Sequence, residues 1–133
     1  MKQLDSTTAV AGQVAPGDVA GLGMSMIVNN RPDGEEAGQP LSAEIEAAAR
    51  AAGIDYRHIP VAGGVTEAQV AQMAEALAAA RGPVLAFCRS GTRSTYLWAL
   101  ARARAGGEAD DLVARAAAAG YDLSPIRAYL TGA

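Results

Sequence analysis

One cysteine, Cys88, is all the sequence has. A disulfide within the chain is therefore impossible, and a cysteine-based metal cage is not expected. There is also one histidine, His58, and no group of His, Asp and Glu at ligand spacing, so neither a metal nor a cofactor is expected. No apolar run approaches the roughly 20 residues needed to cross a bilayer. The first residues, MKQLDSTTAV, lack the long apolar stretch of a signal peptide. The net charge of −3 offers no basic excess for nucleic acid or for an anionic membrane surface. The expectation is a soluble, cytoplasmic protein with neither nucleic acid nor membrane as a partner. No internal repeat and no long linker divides the 133 residues, so residues 1–133 are read as one domain.

Half of the residues are hydrophobic and only 19% are charged, enough to build a core and too apolar for disorder. About a quarter are alanine, the best helix former. Short apolar runs at Val10–Gln13, Met24–Asn29, Ile54–Pro60 and Val84–Phe87 read as strands. The last, VLAF, is apolar throughout, as a strand covered on both faces should be. Between and after them come a short helix opened by Pro16 and longer helices from Ser42 to about Ala52 and from Thr66-Glu67 to Arg81. Three more follow at about Ser94–Ala105, Ala109–Ala119 and Ser124–Leu130. The stretch RPDGEEAGQPL, residues 31–41, is a loop. Strands alternating with helices indicate an α/β fold with a small parallel sheet, and ligands bind such sheets at the carboxyl ends of the strands. Two polar segments fall there, Arg31–Glu35 and Cys88–Ser94.

The second segment carries the chemistry. A buried strand delivers Cys88, Gly91 frees the turn from a Cβ, and a helix begins just beyond. Converging backbone N–H groups and a helix N-terminus make an anion-binding cradle, and the same field favours a thiolate. Arg93 can hold an anion bidentately, and Arg89 adds positive charge. The hydroxyls of Ser90, Thr92 and Ser94 are further donors. Together these suggest a nucleophilic cysteine in an oxyanion cradle. The bland reading is a small buried hydrophobe beside a solvated turn, and the ordered combination of strand, Cys, Gly, Arg and helix weighs against it. Arg31, Asp33 and Glu35 are candidates for the rim of the same crevice, either acid being a possible general acid, although a Pro-Asp-Gly turn is commonly only a turn. Asn29 and Asn30 are expected to organise the loop backbone. His58 and Trp98 are expected to be structural, Tyr96 to reach the pocket mouth at most, and Arg102 and Arg104 to lie along the surface.

Residues 88–94, CRSGTRS, resemble the active-site loop of rhodanese-type sulfurtransferases and cysteine-dependent phosphatases. With VAGQ, VNNRPDGEEAGQP and YRHIPV in order before FCRSGTRS, the chain resembles the bacterial β-lactamase-hydrolase-like family, phosphatase-like domain, over roughly Gln3 to Leu112. The resemblance implies a dual-specificity-phosphatase-like fold: a parallel sheet of four or five strands with helices on both faces. Members are described as phosphatases or as sulfurtransferases. Some are fused to a metallo-hydrolase domain that oxidises persulfides, which suggests a persulfide-oxidising enzyme as a partner; no such domain lies within these residues. Protein tyrosine phosphatases carry Cys-x5-Arg after a His, whereas here four residues separate Cys88 from Arg93 and Phe87 precedes the Cys. That spacing is common in single-domain rhodaneses. Dual-specificity enzymes place an Asp after the strand equivalent to Ile54–Pro60, but VAGGVTEAQ has none, and Thr66 and Glu67 read as a helix cap and first-turn acid. Both departures favour a sulfurtransferase working through a Cys88 persulfide, with a small anionic sulfur donor and an external thiol acceptor. A phosphatase acting on a phosphate ester through a Cys88 phosphocysteine is the alternative. A non-catalytic oxyanion-binding or redox-sensing module is the second alternative.

Overall fold

The computed structural model describes residues 1–131. Among them five strands form one sheet in the order β1-β2-β5-β3-β4. They are β1 (Lys2–Gln3), β2 (Thr8–Ala11), β3 (Met26–Asn29), β4 (Asp55–His58) and β5 (Val84–Phe87). β2, β5, β3 and β4 run parallel, and β1 closes the edge antiparallel to β2. The expected α/β sheet is present, with two adjustments. The first parallel strand lies over 8–11 rather than 10–13. The two-residue edge strand, too short and polar to register as a pattern, was not foreseen.

Helices cover both faces. A 3-10 segment (Pro16–Leu22) and α1 (Ser42–Ala51) lie against one; α2 (Glu67–Ala79), α3 (Thr92–Arg104), α4 (Ala109–Ala118) and α5 (Arg127–Leu130) lie against the other. β5 shows why its sequence is uninterruptedly apolar. Val84 and Ala86 pack into the α2–α3–α4 cluster, while Leu85 and Phe87 pack into the α1 cluster, as the two-residue period of a strand requires. Thr66 caps α2 reciprocally: its Oγ1 accepts from the Gln69 amide at 3.2 Å, and Gln69 Oε1 accepts from the Thr66 amide at 2.8 Å. α3 begins at Thr92, two residues before the Ser94 expected from sequence, and the last helix is a 3-10 turn (Ser124–Ile126) followed by α5. Among the described residues no helix is long and apolar enough to cross a membrane.

Trp98 is fully buried at the centre of α3, and its indole N–H donates to Asp5 Oδ2 at 2.8 Å. Arg102 departs from the expected surface role. Its Nε lies 3.1 Å from the same Asp5 oxygen and its Nη2 reaches Thr7 and Thr8. Arg104 is paired with Glu67 across the α2–α3 contact. Asp5 thus pins the edge of the sheet to α3. Burial opposes its ionisation, but donation from Trp98, the Thr7 and Thr8 amides and the charge of Arg102 prevail and lower its pKa from 3.8 to about 2. A carboxyl depressed on folding stabilises the fold above its unfolded pKa, and that contribution is lost as the pH falls from about 4 towards 2. Asp5→Asn should therefore lower stability at neutral pH by about 1–2 kcal/mol, and urea titrations should show the wild-type advantage shrinking across that acid window. An equal gap at pH 7 and below pH 3 would contradict this account.

Candidate active site

Parallel register brings four chain segments to one end of the sheet. Ala11, Phe87, Asn29 and His58 are aligned in neighbouring strands, so Gly12, Cys88, Asn30 and Ile59 leave the sheet side by side. Crowding there is severe. A Cβ on Gly12 would come within 2.9 Å of the Arg89 carbonyl oxygen, which is why the strand beside the Cys88 loop ends in glycine.

Cys88 sits at the floor, with no surface exposed. Its Sγ accepts from the Gly91 amide at 3.1 Å. Gly91 adopts φ +92°, the left-handed region that favours glycine, and this reversal turns the loop into α3. At the start of α3 the amides of Thr92, Arg93 and Ser94 have no intrahelical acceptor, and among the described residues none donates to a protein oxygen. The sequence-predicted loop therefore does gather Cys88, a glycine turn and free helix N–H groups. Its side chains are engaged differently from the sequence expectation. Ser94 is buried and gives its only proton to Asn30 Oδ1 at 2.7 Å, so it has none for a thiolate or an anion. Ser90 and Thr92 hydroxyls face one another at 3.1 Å. Arg89 extends outward, its Nη2 3.9 Å from Glu36.

Arg93 is held above the loop. Its Nη1 donates to Glu35 Oε2 at 2.7 Å and to the Val61 carbonyl at 2.8 Å, and its Nη2 donates to Glu35 Oε1 at 2.8 Å. Glu35 Oε1 also accepts from Arg31 Nε at 2.9 Å. Arg31 is not a rim residue as expected from sequence but a buried strut, 1% exposed. Its remaining nitrogens reach Gln13 Oε1 at 3.0 Å and Glu36 Oε1 at 2.9 Å, and its carbonyl meets His58 Nε2 at 3.0 Å. Asn29 and Asn30 fasten the neighbouring backbone: Asn29 Oδ1 accepts from the Arg31 amide, and Asn30 Nδ2 donates to the Ile59 carbonyl.

These contacts correct the general-acid expectation. Glu35 receives donors from Arg93 and Arg31, and despite some burial these lower its pKa from 4.5 to about 2. A carboxylate so strongly ionised has no proton to give near neutrality. Asp33 is committed elsewhere: its Oδ1 accepts from the Ser42 amide at 2.8 Å. The residue before α1 is Leu41, whose side chain cannot cap a helix, so Asp33 supplies the missing acceptor from nine positions earlier.

Sequence reasoning misses the roles of two members of the site. Gln13 completes the Arg31 strut, and VAGQ had marked its segment but not its role. Tyr121, after α4, donates its hydroxyl to the Ser90 carbonyl at 3.0 Å; a single tyrosine in an alanine-rich stretch carries no local motif to reveal that contact. Beyond Arg93 an open cleft of about 830 Å³ runs along α3 past Tyr96, Leu100 and Arg104, bounded by the 63–67 turn and by Tyr129. Tyr96 lines this cleft, whose walls include Arg93 but not Cys88.

Similarity to known proteins agrees with the architecture. The model of the family described as "Beta-lactamase hydrolase-like protein, phosphatase-like domain" matches residues 1–105. A beta-lactamase hydrolase-like protein of Agrobacterium fabrum is 42% identical over an alignment of 105 residues that covers 76% of this chain and 24% of that protein. The chain thus spans about a quarter of the length of its curated relatives. A crystal structure of a "putative phosphatase" from Neisseria meningitidis is 36% identical, covers 97% of this chain and 94% of its own, and superposes with a TM-score of 0.82. Tk-PTP in its active form, 16% identical, shares the fold with a TM-score of 0.75 over 98% of this chain and 92% of its own.

Glu35 neutralises two arginines at once, so Glu35→Gln should destabilise the fold by about 1–3 kcal/mol, chiefly because the buried Arg31 is left part-paired. The loss should be full above about pH 4.5 and fade as the pH approaches 2, where wild-type Glu35 itself takes up a proton. Thermal melts of both proteins across that range test it, and a difference that persists unchanged at pH 2 would disprove the assignment.

Proposed function

The chain belongs to the family of the beta-lactamase hydrolase-like protein, phosphatase-like domain, and within that family we propose that it transfers sulfane sulfur through Cys88. The fold is of the cysteine-dependent phosphatase type, and by name the relatives favour phosphoryl transfer over sulfur transfer. The observation that carries the sulfur reading is the state of Glu35. The carboxylate beside Arg93 is ionised and bound to two guanidiniums, and Asp33 is spent on α1. Hydrolysis of an alkyl phosphate ester draws on an acid to protonate the departing alkoxide, whereas Glu35 is ionised and Asp33 already accepts from the Ser42 amide. Sulfur transfer expels sulfite or a thiolate and needs no such proton.

Loop size supports the same reading. Four residues between Cys88 and Arg93 enclose a sulfur that is already buried with an N–H 3.1 Å away. One added sulfur atom asks the loop to widen less than a phosphoryl group with its three oxygens.

In the first half-reaction the Cys88 thiolate attacks the outer sulfur of a donor such as thiosulfate. A Cys88 S–S bond forms, the donor S–S bond breaks, and its electron pair leaves with sulfite. The amides of residues 92–94 receive the negative terminal sulfur, and Arg93, with Arg89 further out, attracts the anionic donor. In the second half an external thiolate, or cyanide in an assay, attacks the terminal sulfur and Cys88 departs as thiolate. With a single cysteine in the sequence, no second thiol of this chain resolves the persulfide. The acceptor thiol lies outside these residues, and the family resemblance suggests a persulfide-oxidising enzyme as the downstream consumer.

Phosphatase activity through a Cys88 phosphocysteine is the second reading, favoured by the 36% identity to the Neisseria protein over nearly the whole chain. Paired assays of wild type and Cys88→Ser separate the two. The expected result is thiocyanate formation from thiosulfate and cyanide, abolished in the variant, with a donor-treated mass gain of about 32 Da confined to Cys88, one persulfide sulfur. Cys88-dependent hydrolysis of p-nitrophenyl phosphate without thiocyanate formation would replace this reading with the phosphatase. Absence of both activities from wild type would leave a binding or sensing module, and activity that survives in Cys88→Ser would remove Cys88 as the nucleophile.

A further inference from the structure

The amide that donates to Cys88 belongs to a peptide group whose other side is occupied. Gly91 N–H faces Sγ at 3.1 Å, and the carbonyl of the same peptide unit, Ser90 C=O, accepts from the Tyr121 hydroxyl at 3.0 Å. The peptide is trans, so the two groups point in opposite directions across one rigid plane. A proton donated to the carbonyl does two things to the amide. It fixes the rotation of the plane, and it draws electron density away from nitrogen, making the N–H a stronger donor; hydrogen bonds in series reinforce one another.

Tyr121 is held close to this plane. A Cβ on Gly91 would collide with its hydroxyl, so the glycine serves both the positive φ and the approach of the ring. Its own proton is secure: burial, and to a lesser degree the charge of Cys88, raise its pKa above the usual 10.0. That proton is committed to Ser90, which leaves none for the sulfur directly. Arg93, across the loop, and Tyr121 both feel the charge of Cys88. Tyr121 also lies outside residues 1–105, the part matched by the family model.

We propose that Tyr121 is a positioning residue for Cys88, acting through the Ser90–Gly91 peptide to aim and strengthen the N–H that stabilises the thiolate. This rests on the reading of Cys88 as a thiolate nucleophile, but not on whether it carries sulfur or phosphate.

Tyr121→Phe keeps the ring and removes only the proton. Two measurements follow the effect without requiring access to the buried sulfur. One is the ultraviolet absorbance of the thiolate against pH, each protein compared with its own Cys88→Ser background. The other is the Gly91 amide proton in the NMR spectrum. The variant should titrate at higher pH, its thiolate-to-thiol ratio at a fixed pH falling about 2- to 10-fold, the equivalent of one hydrogen bond. The Gly91 amide proton should move upfield. Coincident titration curves would overturn the proposal, and coincident curves with a lower melting temperature would reduce Tyr121 to a packing residue. A shifted curve in a protein that transfers no sulfur would sink the sulfur-transfer reading and leave this one standing. Unshifted curves in an active sulfurtransferase would do the reverse.

Discussion

Arg31 is a cation with almost no access to water, and the carboxylate that neutralises it, Glu35, is shared with Arg93. Burying a guanidinium is costly unless its charge and its donors are all matched. Here Glu35, Glu36 and Gln13 match them, and the match is possible only if the loop after β3 folds back over the end of the sheet. Once folded back, Glu35 presents both oxygens to Arg93 and fixes the guanidinium at the mouth of the Cys88 loop. A structural requirement at the end of β3 and a chemical requirement at the start of α3 are met by one side chain. The same sharing removes Glu35 from proton transfer, because a carboxylate held by two arginines stays ionised.

The polar residues behind this pair are bound as tightly to strand register. Asn29 holds the Arg31 amide and the Tyr56 hydroxyl, Tyr56 meets Ser42, and Asn30 links β4 to Ser94 on α3. Among the described residues no buried side-chain polar atom is left without a partner. In a low-dielectric interior a half-satisfied network would cost more than an apolar one, and a slip of one residue in β3 would exchange the faces on which Asn29 and Val28 lie. The loop is therefore built on a base that tolerates little displacement, which a cradle for an atom-sized charge requires.

How much of this was readable beforehand varies with the range of the interaction. The order of strands and helices was legible because VLAF, MSMIVN and the alanine-rich helices each carry their own periodicity. The Cys88 loop was legible because its residues are adjacent in sequence. The partners of that loop were not. That Arg102 would join Asp5 is an outcome of long-range pairing; Arg31 and Asp33 find Glu35, Glu36 and the Ser42 amide close by in the chain, but a charged residue in a loop looks the same in sequence whether it meets water or a partner. Glu35 was legible as a residue of the crevice but not as an ionised one, since its pKa is set by Arg93, far along the chain. Tyr121 lies at the extreme, with nothing in its neighbourhood to mark it.

A phosphatase-type sheet and a short cysteine loop are compatible because the two answer different constraints. The sheet decides where the carboxyl ends of β2, β3, β4 and β5 converge, and that convergence serves any reaction that begins with a thiolate and an anion. The loop decides how much can be held above the sulfur, and the surrounding acids decide whether a leaving group can be protonated. In this chain Cys88 is fully buried within its loop, and Glu35 is tied to two cations. On the proposed reading the arriving group is small and the departing group leaves as a stable anion, two conditions that sulfane sulfur transfer meets.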